Sequence, residues 1–94
     1  MEYNKIDQFI GDKIKDARLL KRMSQKDLAD YVSIRLKKDY GYKKGISYQA
    51  VSLYEKGERS MPEHVYSLFC QALGIDADSL FNEGLDYVKR KANK

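Results

Sequence analysis

Residues 47–57, Ser47-Tyr48-Gln49-Ala50-Val51-Ser52-Leu53-Tyr54-Glu55-Lys56-Gly57, read as one short helix with a signal at each end. The Ser47 hydroxyl can accept a hydrogen bond from a free N–H of the first turn, and Gly57 stands where a C-terminal cap needs left-handed backbone. At a period of 3.6 residues, Ala50, Val51 and Tyr54 share one apolar face and turn inward. Tyr48, Gln49, Ser52 and Leu53 are left on the outer side of a helix of about nine residues.

The flanking segments repeat this logic. Upstream, Ser24-Gln25-Lys26-Asp27 is a variant of the capping box, and Leu28, Ala29, Val32 and Leu36 continue one face, which predicts a helix from 25 to 37. Before it, Ile6, Ile10, Ile14 and Ala17, with Phe9 beside them and Asn4 as cap, predict a helix from 5 to 22. Asp39-Tyr40-Gly41-Tyr42-Lys43-Lys44-Gly45 has two glycines and no periodicity, so it reads as a loop. Downstream, Ser60-Met61-Pro62-Glu63 reads as a capping box opening a fourth helix through Val65, Leu68, Phe69, Ala72 and Leu73, closed by Gly74. Asp76 caps a fifth helix through Leu80 and Phe81, which Gly84 stops or kinks before Leu85, Tyr87 and Val88. Lys89-Arg90-Lys91-Ala92-Asn93-Lys94 reads as a basic tail that frays. The fold class is therefore all-α, with five helices in a single domain over 1–94, a core over 5–82 and a C-terminal helix or tail over 83–94.

Composition narrows the function. The chain has 94 residues, 43% hydrophobic and 34% charged, the mix of one small folded domain. No stretch approaches the roughly 20 apolar residues of a membrane span, and Met1-Glu2-Tyr3-Asn4-Lys5 has no apolar signal region, so a cytoplasmic location and no membrane partner are expected. Cys70 and His64, the lone cysteine and histidine, cannot supply a zinc site, so no metal is expected. Cys70 reads as a small core residue and His64 as a surface residue. Without a nucleophile–base cluster or a phosphate-cradling glycine loop, neither an enzyme nor a cofactor is expected.

The net charge of +4, from 18 Lys and Arg against 14 Asp and Glu, is unevenly spread. Residues 33–45 carry Arg35, Lys37, Lys38, Lys43 and Lys44 against Asp39, whereas residues 61–88 carry Glu63, Asp76, Asp78, Glu83 and Asp86 without a Lys or Arg. A basic patch on a basic domain is the electrostatic footprint of a polyanion binder, the alternative being plain solvated surface.

Ser24-Gln25-x-x-Leu28-Ala29, followed by Gly45-Ile46-Ser47-x-x-x-Val51-Ser52-x-Tyr54-Glu55-x-Gly57, resembles the Cro/repressor-type helix-turn-helix family, also called the XRE family. Ile14, Arg18, Pro62, Leu68, Leu73, Ile75 and Leu80 fall at that family's scaffold positions, so the resemblance covers roughly residues 9–82. It implies a compact lambda-repressor-like DNA-binding domain in which residues 47–57 form the recognition helix, whose N-terminal side chains meet base edges in the major groove. Gln49 is then the best base reader, since its amide pairs bidentately with adenine N6 and N7. Ser52 suits several bases. Tyr48 and Leu53 either pack on a thymine methyl or stay at the protein surface, and Ser47 stands at the same end of the helix. The resemblance further implies that Gln25 meets a phosphate and braces the base-reading glutamine, that Lys56 and Arg59, with Ser60, follow the DNA backbone, and that Arg18 and Glu55 form a structural ion pair.

One feature departs from the family. The family passes from the helix 2 alanine to the turn glycine in a few residues, but Ala29 and Gly45 are sixteen apart. Because Leu36 extends the stripe of Leu28 and Val32, helix 2 is lengthened and the tight turn becomes a long one. Lys43 and Lys44 in this insertion either add phosphate contacts or belong to a solvated loop. The function expected is that of a sequence-specific double-stranded DNA-binding regulator, resembling small bacterial or phage repressors, that occupies a pseudo-palindromic operator as a homodimer. Leu80, Phe81, Leu85 and Val88 either form the dimer interface or close the monomer's own core. The rival expectation is a protein-interaction module of the same fold, an antitoxin or adaptor whose partner uses the acidic residues 76–86.

Overall fold

The computed structural model describes residues 5–92, which form five helices in chain order: α1 Lys5–Leu20, α2 Gln25–Tyr40, α3 Tyr48–Glu55, α4 Glu63–Leu73 and α5 Ala77–Ala92. No strand occurs among the described residues. The expected cap Asn4 and the tail residues Asn93 and Lys94 lie outside them.

Local chemistry sets most helix ends. Ser24 Oγ accepts from the Asp27 N–H at 2.9 Å and Asp27 Oδ2 accepts from the Ser24 N–H at 2.9 Å, a reciprocal capping box that opens α2. Those hydrogen bonds from Ser24 hold the Asp27 carboxyl below the usual carboxylate range. Ser47 Oγ accepts from the Ala50 N–H at 3.2 Å and opens α3, and Asp76 Oδ1 accepts from the Ser79 N–H at 3.0 Å and opens α5. At the other ends, Gly41 (φ 68°) closes α2 and Gly74 (φ 70°) closes α4.

Several boundaries differ from expectation. α1 stops at Leu20 rather than 22, because Arg22 turns left-handed (φ 57°) and the Met23 N–H bonds back to the Arg18 carbonyl at 3.1 Å. α2 runs to Tyr40 rather than 37, since Leu36 is fully buried and the next left-handed residue is Gly41. Ser60 does not cap α4; its hydroxyl donates to Asp7 on α1, and Pro62 occupies the cap without a side-chain bond. Gly84 neither stops nor kinks α5. It is buried where a Cβ would lie 2.9 Å from Ile6 Cγ1, so it lets α5 approach α1 closely. Lys89, Arg90 and Lys91 are accordingly helical rather than a frayed tail, and Lys91 Nζ sits 5.6 Å from the Tyr87 ring.

The core is a single cluster. α2 packs against both α3 and α4, while α1 spans α3, α4 and α5. Ile14, Leu28, Val32, Leu36, Val51, Leu68 and Phe69 are all but inaccessible, with Ala50 and Tyr54 completing the inward face of α3. Tyr54 meets Phe69 edge to face at 6.0 Å. Cys70 is a core residue whose thiol is pushed up by burial, and the neighbouring Tyr66 hydroxyl donates to the Ala77 carbonyl at 2.6 Å, tying α4 to α5. Of the two readings left open for Leu80, dimer interface or the monomer's own core, the structure takes the second: it is only 4% exposed, because α5 lies down on α1 instead of projecting beyond α4.

Candidate functional site

α3 is held at its C-terminal end by backbone contact and by charge. A Cβ on Gly11 of α1 would overlap the Tyr54 carbonyl oxygen and come within 2.6 Å of that of Glu55, so the two helices touch backbone to backbone there. Gly57 (φ 72°) follows at once, and a Cβ on it would lie 2.6 Å from Gln8 Cα. Between these contacts sits the expected pair of Arg18 and Glu55. Arg18 Nε donates to Glu55 Oε2 at 2.6 Å and Nη2 to Oε1 at 3.0 Å, while Nη1 donates to the Met23 carbonyl at 2.8 Å. The two side chains are 7% and 2% exposed, so the fork is a buried structural clamp and not a surface for a ligand.

Gln25 completes this clamp. Its Nε2 donates to Glu55 Oε1 at 3.1 Å, so the α2 N-terminus, α1 and α3 meet on one carboxylate. The glutamine braces Glu55 and not Gln49. Gln25 also lines a notch of about 130 Å3 with Ser52 and Lys56, which the sequence singled out, and with Asp12 and Lys15 of α1, which it did not. Helical periodicity marks Lys15 only as a solvent-facing position. Its nearness to α3 depends on how α1 crosses that helix.

With its inner face occupied, α3 presents its first turn outward. Tyr48 is 50% exposed and Gln49 is exposed; Ser52 and Leu53 are half-buried. Ser47 is exposed, with its hydroxyl already engaged as the cap. Lys56 and Arg59 are exposed at the far end.

The loop between α2 and α3 is docked. Ser33 Oγ accepts from the Ile46 N–H at 2.9 Å and donates to the Ile46 carbonyl at 3.1 Å, and a Cβ on Gly45 would overlap the Ser33 side chain. At the other end of this loop, the Tyr40 ring stacks on His64 of α4 at 4.2 Å and Tyr42 meets the same imidazole edge-on at 6.4 Å. His64 is exposed as expected, yet it anchors two aromatic rings. These contacts carry the exposed Lys43 and Lys44 on a braced segment between α2 and α3. Within the basic stretch, Arg35 is neutralised by Asp39 at 2.6 Å and donates to the Tyr31 hydroxyl at 3.1 Å. Lys37, Lys38, Lys43 and Lys44 have no carboxylate partner among the described residues.

Among the described residues no three or more His, Cys, Asp or Glu side chains gather as metal ligands, and no helix is long and apolar enough to cross a membrane. No protein-family model, curated protein or solved structure matches this chain.

Proposed function

We propose that this chain is a sequence-specific, double-stranded DNA-binding regulator, acting as a repressor by occupying a pseudo-palindromic operator as a homodimer. The observation that carries the proposal is the Arg18–Glu55–Gln25 clamp. It immobilises α3 from within while Tyr48 and Gln49 remain exposed beside unpaired lysines. A rigid helix with a polar first turn and a cationic flank is what major-groove readout requires, because base contacts need fixed geometry and phosphate contacts need positive charge.

In this reading α2, the docked insertion and α3 act as a Cro/repressor-type helix-turn-helix with a lengthened first helix and a long turn, within a lambda-repressor-like fold. Gln49 pairs with adenine N6 and N7, Tyr48 and Leu53 lie against thymine methyls, and Ser47 and Ser52 complete the groove contact. Lys43, Lys44, Lys56, Arg59 and the second Nε2–H of Gln25 donate to phosphates and set the register. One short helix reads few bases, so two copies about one helical turn apart supply useful specificity.

Selection of random duplex DNA by the purified chain tests the proposal. An inverted repeat should be enriched, and Gln49→Ala should change its half-site by relaxing one position worth about 1–3 kcal/mol of discrimination. Failure to enrich any sequence, with retention vanishing as salt rises, overturns the operator reading. The phosphate contacts have their own readout. Replacing Lys43 and Lys44 together by alanine should reduce the slope of log affinity against log salt by about one to two units with the selected sequence unchanged. An unchanged slope removes the insertion from the interface. A second reading, a protein-interaction module such as an antitoxin or adaptor, is favoured by Asp78, Glu83 and Asp86 on α5, none of which has an ion-pair partner among the described residues.

A further inference from the structure

A groove of about 650 Å3 lies between α1, α4 and α5, the size of an ordinary site for a small organic molecule. Its apolar lining runs from Ile10, which is buried, through Met61, Tyr66 and Ala77, which are half-buried, to Phe81, which is 45% exposed. The Tyr66 hydroxyl donates to the Ala77 carbonyl at 2.6 Å, so the proton of its polar tip is already committed.

Charge in this groove has one sign. Asp7, Glu63 and Asp78 line it, no Lys or Arg does, and none of the three carboxylates has an ion-pair partner among the described residues. Asp7 is half-buried and accepts from the Ser60 hydroxyl. Each carboxylate stands in the first turn of its helix. A helix dipole offsets only about half an elementary charge there, so about half of the combined negative charge remains. The neighbouring grooves carry both signs. One of about 550 Å3 along Leu85 and Val88 has Asp86 with Lys89, and one of about 460 Å3 at Phe9 and Tyr87 has Asp12 and Asp16 with Lys5, Lys13 and Lys91.

We propose that the groove between α1, α4 and α5 binds a small organic cation, an ammonium carried on an aryl or alkyl body. The body displaces water from Ile10, Met61 and Phe81, while the ammonium pairs with the carboxylates and draws on the negative faces of the Tyr66 and Phe81 rings. An anion would meet three like charges, and a neutral apolar molecule would leave all three uncompensated. A basic segment of another protein would follow the acidic residues along α5, but Glu83 does not line this groove and Asp86 lines its neighbour, so a small molecule is the better match. The inference needs no DNA contact and goes beyond the operator reading.

Titration of the full chain, without DNA, with 2-phenylethylammonium tests it, read by nuclear magnetic resonance at the Ile10 and Met61 methyl groups and the Phe81 ring. Saturable shifts at all three are expected, with a dissociation constant of about 1 mM. 2-Phenylethanol keeps the ring and loses the charge, and should bind about tenfold more weakly. Glu63→Gln combined with Asp78→Asn should weaken the ammonium by about fivefold and leave the alcohol unchanged. Both positions are exposed, so the double variant should keep the parental circular dichroism. Shifts that do not saturate, equal affinity for ammonium and alcohol, or a double variant that binds the ammonium as tightly as the parent would each overturn the proposal. A chain that enriches a DNA sequence but does not bind the cation would sink this site alone, and one that binds the cation but enriches no sequence would sink the operator reading alone.

Discussion

Replacing Glu55 by alanine is expected to cost about 3–5 kcal/mol, a large share of the roughly 5–15 kcal/mol available to a domain this size. The cause is the group left behind. Arg18 is buried, its guanidinium makes two of its three hydrogen bonds to this carboxylate, and without it a cation faces the interior with only the Met23 carbonyl for company. Gln25 loses its acceptor at the same time. At about 4–8 °C per kcal/mol, the melting temperature should fall by more than about 12 °C. Arg18→Met combined with Glu55→Leu should be less damaged than Glu55→Ala, because replacing both charges by apolar groups removes the desolvation penalty along with the attraction. Equal losses in the single and the double variant would mean that volume, not uncompensated charge, dominates the site. Thermal melts and a double-mutant cycle distinguish the two.

Gly57→Ala is expected to cost about 2–5 kcal/mol, and Gly41→Ala only about 1–2 kcal/mol. Both glycines are left-handed, at φ 72° and 68°, so the backbone strain of an L-residue is nearly the same in each. They differ in what surrounds them. A Cβ on Gly41 would meet nothing within 4 Å, whereas a Cβ on Gly57 would lie 2.6 Å from Gln8 Cα and 2.8 Å from Gln8 N, backbone atoms that cannot swing aside. The difference between the two melts isolates the overpacking of α1 against the end of α3. Equal destabilisation would show that α1 can yield there, and the tight anchoring of α3 would have to be abandoned. If α1 does not yield, Gly57→Ala should also weaken DNA retention, since α3 carries the proposed base readers.

Much of the fold was legible because its signals are short-ranged. The boxed serine and aspartate at 24 and 27, the caps Ser47 and Asp76, the terminal Gly74 and the inward trio Ala50, Val51 and Tyr54 each depend on residues within about one helical turn. The same local rule misled at Ser60. A serine three residues before a glutamate reads as a cap, yet Asp7, 53 positions away in sequence, offers a carboxylate that takes the hydroxyl. At Gly84, propensity alone argued for a break, but the closeness of Ile6 and Phe9 rewards the missing side chain.

For the candidate site, the residue types were readable and their grouping was not. The exposed face of α3 follows from the positions of its buried residues, and the Arg18–Glu55 pair from the resemblance. That Gln25 turns to Glu55, that Lys15 joins Ser52 and Lys56 around one notch, and that His64 holds Tyr40 and Tyr42 all depend on contacts between helices distant in sequence. By itself, then, the sequence determined five helices, the caps Ser24, Ser47 and Asp76 and the buried faces, since periodicity and capping act over a few residues. Only the tertiary structure decided how far α2 and α5 run, which α5 side chains face solvent, and where the loop between α2 and α3 is pinned, because close approach and ion pairing arise only when separate helices meet.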